Sequence, residues 1–263
     1  MRRFVPLLPA LPIFIFLLLF LILPLALAIG GGFQHEGRFS LYWFQRVLGN
    51  PLRIRELVNG ALLATCTTLG CMALAIPMAL LQGRTRFRGQ GVLSIAVLVP
   101  LILPPFVGAI AMRKILAPFG AFNLLLSQLG LLDLSTGMPP DWLGSGFAGV
   151  VILQILHLFP IMYLNAGASL ANVDPAYIQA ARNLGATPLK AFLRVTLPLM
   201  RPGLFAGGTI VFIWAFTDIG TPIMLEYDEI ASVTIFKELA RSNFTGWTYA
   251  LVFILLATSI VLY

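Results

Sequence analysis

The sequence predicts an all-α integral membrane protein with about six transmembrane helices. Hydrophobic residues make up 59% of the 263 residues and charged residues only 10%, whereas soluble domains are about half apolar and about a quarter charged. The apolar residues form runs of about twenty, which is the length at which an α-helix crosses the hydrocarbon core of a bilayer. Six candidate spans follow, at residues 7–29, 59–82, 91–112, 147–167, 202–225 and from 247 onwards.

The first and last spans bear on processing and completeness. Met1-Arg2-Arg3 precedes an uncharged run in which Ala26-Leu27-Ala28 imitates a signal-peptide cleavage site. The run is longer than the apolar core of a signal peptide, about 7–15 residues, so we expect an uncleaved first helix. The last span is still apolar at Tyr263, without a flanking polar anchor. We therefore expect a last helix that is truncated, in a fragment or in the first part of a longer polypeptide.

The basic residues bear on membrane topology, and their raw counts, nine on the predicted inside and eight on the outside, nearly balance. The formal charge is +7, but Lys and Arg are scattered in short segments between apolar runs, and no nucleic-acid-binding surface is predicted. A cytoplasmic N-terminus places the short 83–90 loop, with its three arginines, on the inside, as the positive-inside rule favours. Cys66 and Cys71 lie five residues apart in one apolar run and are expected to be structural.

Helix-disrupting residues interrupt several spans. Pro100, Pro104 and Pro105 fall inside the third span, where each removes a backbone donor. Such a helix is tolerated where other groups satisfy the freed carbonyls, so it faces protein or a cavity. A packing kink and a gate-lining role both remain open. Gly203 and Gly207, four residues apart, predict close approach by another helix.

The stretch between the fourth and fifth spans, residues 174–202, is too polar to cross a membrane. Asp174-Pro175 is typical of a helix start, Tyr177 and Ala181 follow at helical spacing, and Gly185 suits the left-handed residue after a helix end.

Thr187-Pro188 repeats the start signal, and the pattern predicts a second short helix that stops before Pro198. The residues expected on one face of this helix are Leu189, Phe192, Leu193 and Thr196. The prediction is a protruding helix–turn–helix with Ala180 and Ala181 on its outer surface, suited to a groove on another protein. Arg182, Lys190 and Arg194 lie nearby. An ordinary connecting loop is the alternative.

One motif in this stretch resembles a known family. Gln179-Ala180-Ala181, three residues, Gly185, nine residues, Val195, one residue and Leu197-Pro198 is similar to the EAA motif of type I ABC importer permeases. The spacing matches throughout. Gln179 replaces the Glu of the motif and Val195 replaces its Ile, and the first change removes a charge that relatives could pair with the ATPase.

The resemblance implies an organisation, a set of partners and a location. It implies an N-terminal helix with an extracytoplasmic loop (1–56) and a permease domain (57–263) whose cytoplasmic loop at about 168–201 couples to an ATPase. The residues assigned to this coupling loop are Asp174, Gln179, Ala180, Ala181, Arg182, Gly185, Ala186, Val195, Leu197 and Pro198. The implied partners are a cytoplasmic ABC ATPase dimer, a second permease domain, a periplasmic or extracellular binding protein and membrane lipid. The chain is placed in the bacterial inner membrane with its N-terminus in the cytoplasm.

The resemblance also bears on chemistry and cargo. The chain has no phosphate-binding loop of the type G-x-x-x-x-G-K-S/T, so it is not expected to be an enzyme, and ATP and Mg²⁺ are expected on the partner ATPase. Residues 101–108 and 212–222 look most like the ferric-iron-uptake permeases, some of which fuse two such domains. Permeases for aminoethylphosphonate, thiamine, polyamines or sulfate share much of this pattern, so these cargoes remain alternatives.

Few polar residues lie within the spans. Asp218 is the only acidic one, and a role in the pathway or gate competes with helix capping or interface positioning. The residues assigned to the path or gate are Pro104, Pro105, Thr217, Asp218 and Thr221. Gln154 and His157 share a face of the fourth span, where a hydrogen-bonded packing role for His157 is favoured. No metal site is expected.

Two other classes of protein fit less well. A membrane enzyme needs clustered titratable groups, whereas His35 and His157 lie in different compartments of the predicted topology. A gradient-driven secondary transporter more often has several intramembrane acids and inverted repeats, and neither is evident.

Overall fold

The computed structural model describes residues 11–133, 137–144, 146–241 and 245–262. These residues are mostly helical. The helices are α1 (Leu11–Leu17), α2 (Leu23–Gly32), α3 (Tyr42–Leu48), α4 (Pro51–Arg84), α5 (Gln90–Ile102), α6 (Pro105–Leu116), α7 (Ala121–Gln128), α8 (Phe147–Ala171), α9 (Pro175–Asn183), α10 (Pro188–Ala191), α11 (Leu197–Thr217), α12 (Gly220–Met224), α13 (Ala231–Ala240) and α14 (Gly246–Leu262). The strands are β1 (Gln34–His35) and β2 (Arg38–Phe39), and π-helical turns at Leu18–Ile22 and Phe192–Thr196 join α1 to α2 and α10 to α11.

Within the described ranges, five apolar stretches are long enough to cross a membrane. Each has at least 18 residues, which rise about 27 Å in an α-helix and so approach the thickness of the hydrocarbon core. They are Pro12–Gly32, Pro51–Arg84, Pro105–Gln128, Phe147–Ala171 and Pro188–Thr217, with Gln90–Ile102 and Gly246–Val261 as shorter apolar helices. The prediction of a multi-pass, all-α membrane protein is confirmed.

The first span has the surface of a lipid-facing helix. Its apolar side chains are exposed, including Phe14 and Phe20, and a helix that is apolar on all sides requires an apolar environment. The predicted span 7–29 extends in the structure to Gly32, and its residues 7–10, like Arg2 and Arg3, lie outside the described residues.

A tight β-hairpin follows the first span. His35 pairs with Arg38 across β1 and β2, and the two turn residues, Glu36 and Gly37, have φ values of 51° and 75°. Positive φ at both central residues is the geometry of the type I′ turn that matches the twist of paired strands.

The predicted third span, 91–112, is wrong as a single helix. Helix α5 ends at Ile102, Leu103 and Pro104 are extended with ψ values of 133° and 139°, and α6 begins at Pro105. The residue before a proline is disfavoured in the α conformation. Because Leu103 precedes Pro104 and Pro104 precedes Pro105, two consecutive residues leave the helix and the span divides there.

Helices α8 and α11 pack closely through small residues. A Cβ atom at Gly203 would lie 2.5 Å from Cβ of Ser169, and one at Gly207 would lie 2.8 Å from Cβ of Asn165. The Ser169 hydroxyl also donates to the backbone carbonyl of Met200 at 3.0 Å. The predicted close approach at Gly203 and Gly207 is therefore confirmed, with α8 as the partner helix.

The predicted fifth span, 202–225, has different limits. Helix α11 begins earlier, at Leu197, and ends at Thr217, where Asp218 is extended with a ψ of 134°. The short helix α12 then covers Gly220–Met224. The sequence remains apolar through this break because α12 is partly buried in protein, so hydropathy alone does not reveal where the helix ends.

Two compact units can be described separately. In one, formed by the described residues up to Val58 and by Ile230–Val261, Phe33 packs edge-to-face on Phe253 at 5.2 Å. The guanidinium of Arg53 lies 4.3 Å from the ring centroid of Trp247 in the same unit. The other unit, Asn59–Glu229, has an apolar core that includes Leu63, Ala109, Leu143, Val150, Leu153 and Leu225.

Candidate functional site

The polar stretch after α8 forms two short helices with well-defined ends, which we call the elbow (residues 174–196). Oδ1 of Asp174 accepts a hydrogen bond from the backbone N–H of Ala176 at 2.8 Å, and Pro175 occupies the first turn of α9. The hydroxyl oxygen of Thr187 accepts from the N–H of Lys190 at 3.3 Å and caps α10. Both predicted helix starts are confirmed.

A Schellman motif closes the first elbow helix. Gly185 has a φ of 82°, its N–H donates to the carbonyl of Arg182 at 2.9 Å, and the N–H of Ala186 donates to the carbonyl of Ala181 at 3.0 Å. These two bonds satisfy carbonyls at the helix end and need a left-handed residue between them, a conformation that glycine adopts without steric cost. The predicted role of Gly185 in the turn is confirmed.

The second elbow helix does not stop before Pro198, and this prediction is wrong. Residues Pro188–Thr217 form one helix of 30 residues, in which the π turn Phe192–Thr196 lies directly before α11 and Pro198 falls in the first turn of α11. A π turn is wider than an α turn and often lies at functional positions. It accommodates the proline ring, so α10 continues into the membrane-spanning helix.

The elbow surface is unusually apolar for a polar segment. Leu184 is 88% exposed and Leu189 66% exposed, and Tyr177 is also exposed. Gln179 and Ala180 are exposed, whereas Ala181 is half-buried. The predicted position on the outer surface is therefore confirmed for Ala180 and only in part for Ala181. Val195, Leu197 and Pro198 are half-buried at the base. Exposed large apolar side chains on a short polar segment indicate a surface for a protein partner.

A second group of polar residues surrounds a cavity of about 220 Å³. Of the residues assigned to the path or gate, the structure brings Pro105, Thr217, Asp218 and Thr221 together in its lining, whereas Pro104 lies outside it. Gln154, His157, Leu158 and Trp214 complete the lining.

Asp218 both caps a helix and faces this cavity. Its Oδ1 accepts hydrogen bonds from the N–H groups of Gly220 at 3.0 Å and Thr221 at 3.4 Å, at the start of α12. Its Oδ2 accepts from Nε2 of Gln154 at 3.1 Å. The capping role and the position beside a polar cavity therefore occur together.

Gln154 connects this carboxylate to two further helices. Its Oε1 accepts from the hydroxyl of Thr67 in α4 at 2.9 Å, and its Nε2 also donates to the carbonyl of Ala215 in α11 at 3.3 Å. Gln154 is buried, and a buried amide with satisfied partners fixes the relative positions of the helices it joins. The sequence placed Gln154 and His157 on one face of α8 but did not identify either as part of the site.

The position of His157 relates it to the broken span. His157 and Pro100 line the same cavity. In a continuous helix the carbonyl of Pro100 would accept from residue 104, which is a proline without an N–H. His157 therefore lies in the region where Pro104 leaves a carbonyl free, and its hydrogen-bonded packing role stays a prediction. Among the described residues, no group of three or more His, Cys, Asp and Glu side chains lies together as a metal site would require.

Comparison with known proteins identifies the family. Residues 75–263 match the model of the binding-protein-dependent transport system inner membrane component family. The probable molybdenum ABC transporter permease protein of Haloferax volcanii is 33% identical over 178 residues, which cover 68% of this chain and 61% of that protein. The ferric transport system permease protein of Actinobacillus pleuropneumoniae is 28% identical over 194 residues, which cover 73% of this chain and 27% of that protein.

Solved structures share the fold. The crystal structure of a bacterial ABC transporter involved in the import of the acidic polysaccharide alginate contains a chain with a TM-score of 0.77 and 19% identity, and the match covers 99% of this chain and 93% of that chain. The family match over residues 75–263 gives the identification: the chain belongs to the binding-protein-dependent transport system inner membrane components, the permease family of ABC importers.

Proposed function

We propose that the chain is the permease subunit of an ATP-binding-cassette importer whose elbow docks onto a separate cytoplasmic ATPase. The observation that carries the proposal is the elbow itself, two capped helices with exposed apolar side chains on a rigid turn, in a chain that belongs to this family. The chain supplies the path and the coupling surface. ATP and Mg²⁺ bind to the partner ATPase.

In this mechanism, the continuous helix Pro188–Thr217 acts as a lever that transmits movement from the elbow to the cavity. A helix of 30 residues is about 45 Å long. One end is the elbow, and the other carries Trp214 and Thr217 into the lining of the polar cavity. When the ATPases close on ATP, the elbow moves and α11 moves with it, a rigid-body switch that changes the cavity at the far end.

The remaining partners follow from the same proposal. A second permease domain, in another chain or in the same polypeptide, completes the path, and an extracytoplasmic binding protein delivers the cargo. The protein lies in the bacterial inner membrane with its N-terminus and elbow in the cytoplasm. The coupling residues are those assigned from the motif, with Gln179 in place of an acidic residue.

Ferric iron is the cargo that we propose to test first. Residues 101–108 and 212–222 resemble ferric-iron permeases, and a ferric permease of Actinobacillus pleuropneumoniae is among the relatives. Molybdate is the second candidate, since the molybdenum permease relative of Haloferax volcanii has the higher identity, 33%. Polyamines, aminoethylphosphonate, thiamine and sulfate remain further alternatives.

The proposal is tested by reconstitution. We expect the tagged chain to purify with an ATPase encoded beside it, and vesicles containing both, supplied with the neighbouring binding protein, to accumulate labelled ferric citrate, molybdate or spermidine only when ATP is present. The measurement is uptake with ATP, without ATP and with an imposed ion gradient. Accumulation driven by the gradient alone would assign the chain to a secondary transporter instead.

The turn at Gly185 gives a sharper test of the coupling role. Gly185→Val forces a β-branched residue into the left-handed region, which costs about 1–2 kcal/mol, so uptake per ATP hydrolysed is expected to fall about tenfold while membrane insertion is unchanged. Gly91→Val is the matched control, because Gly91 also has no neighbouring atom within 4 Å of an added Cβ but has no left-handed φ. Equal ratios in the two variants would count against the coupling role.

A further inference from the structure

The last turn of α4, residues 82–84, contacts three other helices through consecutive residues. The side-chain oxygen of Gln82 accepts hydrogen bonds from the hydroxyl of Tyr163 in α8 and from the hydroxyl of Ser94 in α5, the latter at 3.0 Å. The backbone carbonyl of Gln82 also accepts from Nε2 of Gln90 at 2.7 Å. This residue therefore ties α4 to both α5 and α8.

The next two residues extend these contacts towards the elbow. A Cβ atom at Gly83 would lie 2.9 Å from Cδ2 of Leu170, near the end of α8. Nη2 of Arg84 donates to the hydroxyl oxygen of Thr196 at 2.9 Å. Thr196 is 0% exposed and is the last residue of the π turn with which the elbow ends, directly before α11.

We infer that Arg84 is a positioning residue that passes movement of the elbow into α4 and, through Gln82, into α5. The inference rests on the proposed function. A hydrogen bond from a guanidinium to a buried hydroxyl is stronger than one between neutral groups, and breaking it leaves a buried polar group without that partner. Arg84 itself is exposed, and displacement of the buried Thr196 draws the guanidinium along while this bond persists.

The surroundings of this turn allow it to move. A cavity of about 300 Å³ lies beside it, lined by the small residues Ala79, Gly83 and Gly167 together with Gln82, Gln90, Tyr163, Leu170 and Ala171. Such free volume lets the end of α4 shift without a collision between large side chains.

The other end of α5 leads back to the polar cavity. Helix α5 ends at the extended Leu103-Pro104 segment, and the next residue, Pro105, lines that cavity. Two routes thus connect the elbow to the lining of the same cavity. One runs along α11, and the other runs through Arg84, α4 and α5.

The ratio of uptake to ATP hydrolysis tests this second route. Arg84→Gln in the complete complex of permease, ATPase and binding protein is expected to keep ATP hydrolysis but to lower the ratio about fivefold or more, the range typical of coupling between sites. Thr196→Val is expected to have the same effect, and Thr196→Ser, which keeps the hydroxyl, is expected to restore the ratio. The uptake probe is whichever of ferric citrate, molybdate and spermidine the unchanged complex accumulates.

A double variant and a matched control complete the design. The double variant Arg84→Gln with Thr196→Val is expected to lower the ratio of uptake to ATP hydrolysis no further than either single change does, because each single change already removes the same interaction. Arg86→Gln removes the same charge two residues beyond the end of α4, from a side chain that is exposed as Arg84 is, and it is expected to leave the ratio unchanged.

Three results would overturn the inference: equal ratios for Arg84→Gln and Arg86→Gln, additive losses in the double variant, or a parallel fall of uptake and hydrolysis. If the unchanged complex shows no ATP-dependent uptake, the proposed function itself fails.

Discussion

At the scale of single residues, the hydrogen bonds of Asp218 explain why an acid is present at the end of a membrane-spanning helix. One carboxylate oxygen accepts from the backbone at the start of α12, and the other accepts from Gln154. A carboxylate supplies acceptors in both directions without a competing donor. Asparagine cannot do this, because one of its two polar atoms is a donor.

We therefore expect the Asp218→Asn variant to be less stable than the unchanged protein. If the Asn oxygen keeps the cap, its NH₂ group faces the NH₂ group of Gln154. If Gln154 turns over instead, it loses the carbonyl of Ala215. We expect the free energy of unfolding to fall by about 1–3 kcal/mol, measured by thermal unfolding of the detergent-solubilised chain.

The control for this substitution is Asp141→Asn. Oδ1 of Asp141 accepts from the N–H of Gly144 at 2.9 Å in an exposed loop, so asparagine can keep this bond and stability should change by less than about 0.5 kcal/mol. If both variants unfold at the same temperature, the double acceptor role of Asp218 is refuted.

At the scale of elements, the joining of α10 to α11 fixes the direction in which the elbow points. Along an α-helix, each residue is rotated by about 100° and advanced by about 1.5 Å relative to the residue before it, so the two ends of a helix have a defined relative orientation. The π turn Phe192–Thr196 inserts extra backbone into this lever. The position of the elbow relative to α11 therefore depends on the number of residues in the turn.

Deletion of Leu193 is expected to abolish ATP-coupled uptake. Removing one residue from the π turn would rewind this segment towards α geometry and change the rotation of the elbow relative to α11, so the docking surface would no longer face the ATPase, while the apolar span would still insert into the membrane. The measurement is co-purification with the ATPase together with uptake in vesicles.

The matched control keeps the register of this helix. Leu193→Ala removes most of the same exposed side chain without changing the residue count, and it is expected to retain most of the coupling. A deletion variant that still couples would rule out the lever.

At the scale of the whole molecule, the proposed mechanism requires the elbow to face the cytoplasm and the loop between α7 and α8 to face the other side. Leu184 on the elbow is 88% exposed and Met138 in that loop is 82% exposed, so both accept a chemical label. Cys66 and Cys71 are the two cysteines of the chain and can be replaced by alanine.

Cysteine labelling in intact cells then tests the topology. We expect an impermeant maleimide to modify Met138→Cys from outside and to modify Leu184→Cys only after the membrane is opened. The reverse pattern would place the elbow outside and remove the basis of the importer mechanism. Labelling of both sites after permeabilisation shows that each cysteine is accessible.

Local features of the structure were predictable because they depend on neighbouring residues. Asp174 and Thr187 start helices through bonds to nearby N–H groups, and Gly185 closes one through its own φ. The prolines show the limit of such reasoning. Pro160 and Pro202 lie inside helices, whereas Pro104-Pro105 separates two, and whether freed carbonyls find partners depends on groups distant in sequence.

By itself, therefore, the sequence determined that the chain spans a membrane, that it carries a capped elbow and that its motif belongs to importer permeases. Only the tertiary structure decided that the elbow continues into α11 and which polar side chains meet. Gln154 and Asp218 are 64 residues apart and Arg84 and Thr196 are 112 apart. Run length, capping and turn conformation are set by adjacent residues, whereas such pairings arise only when helices distant in sequence pack together.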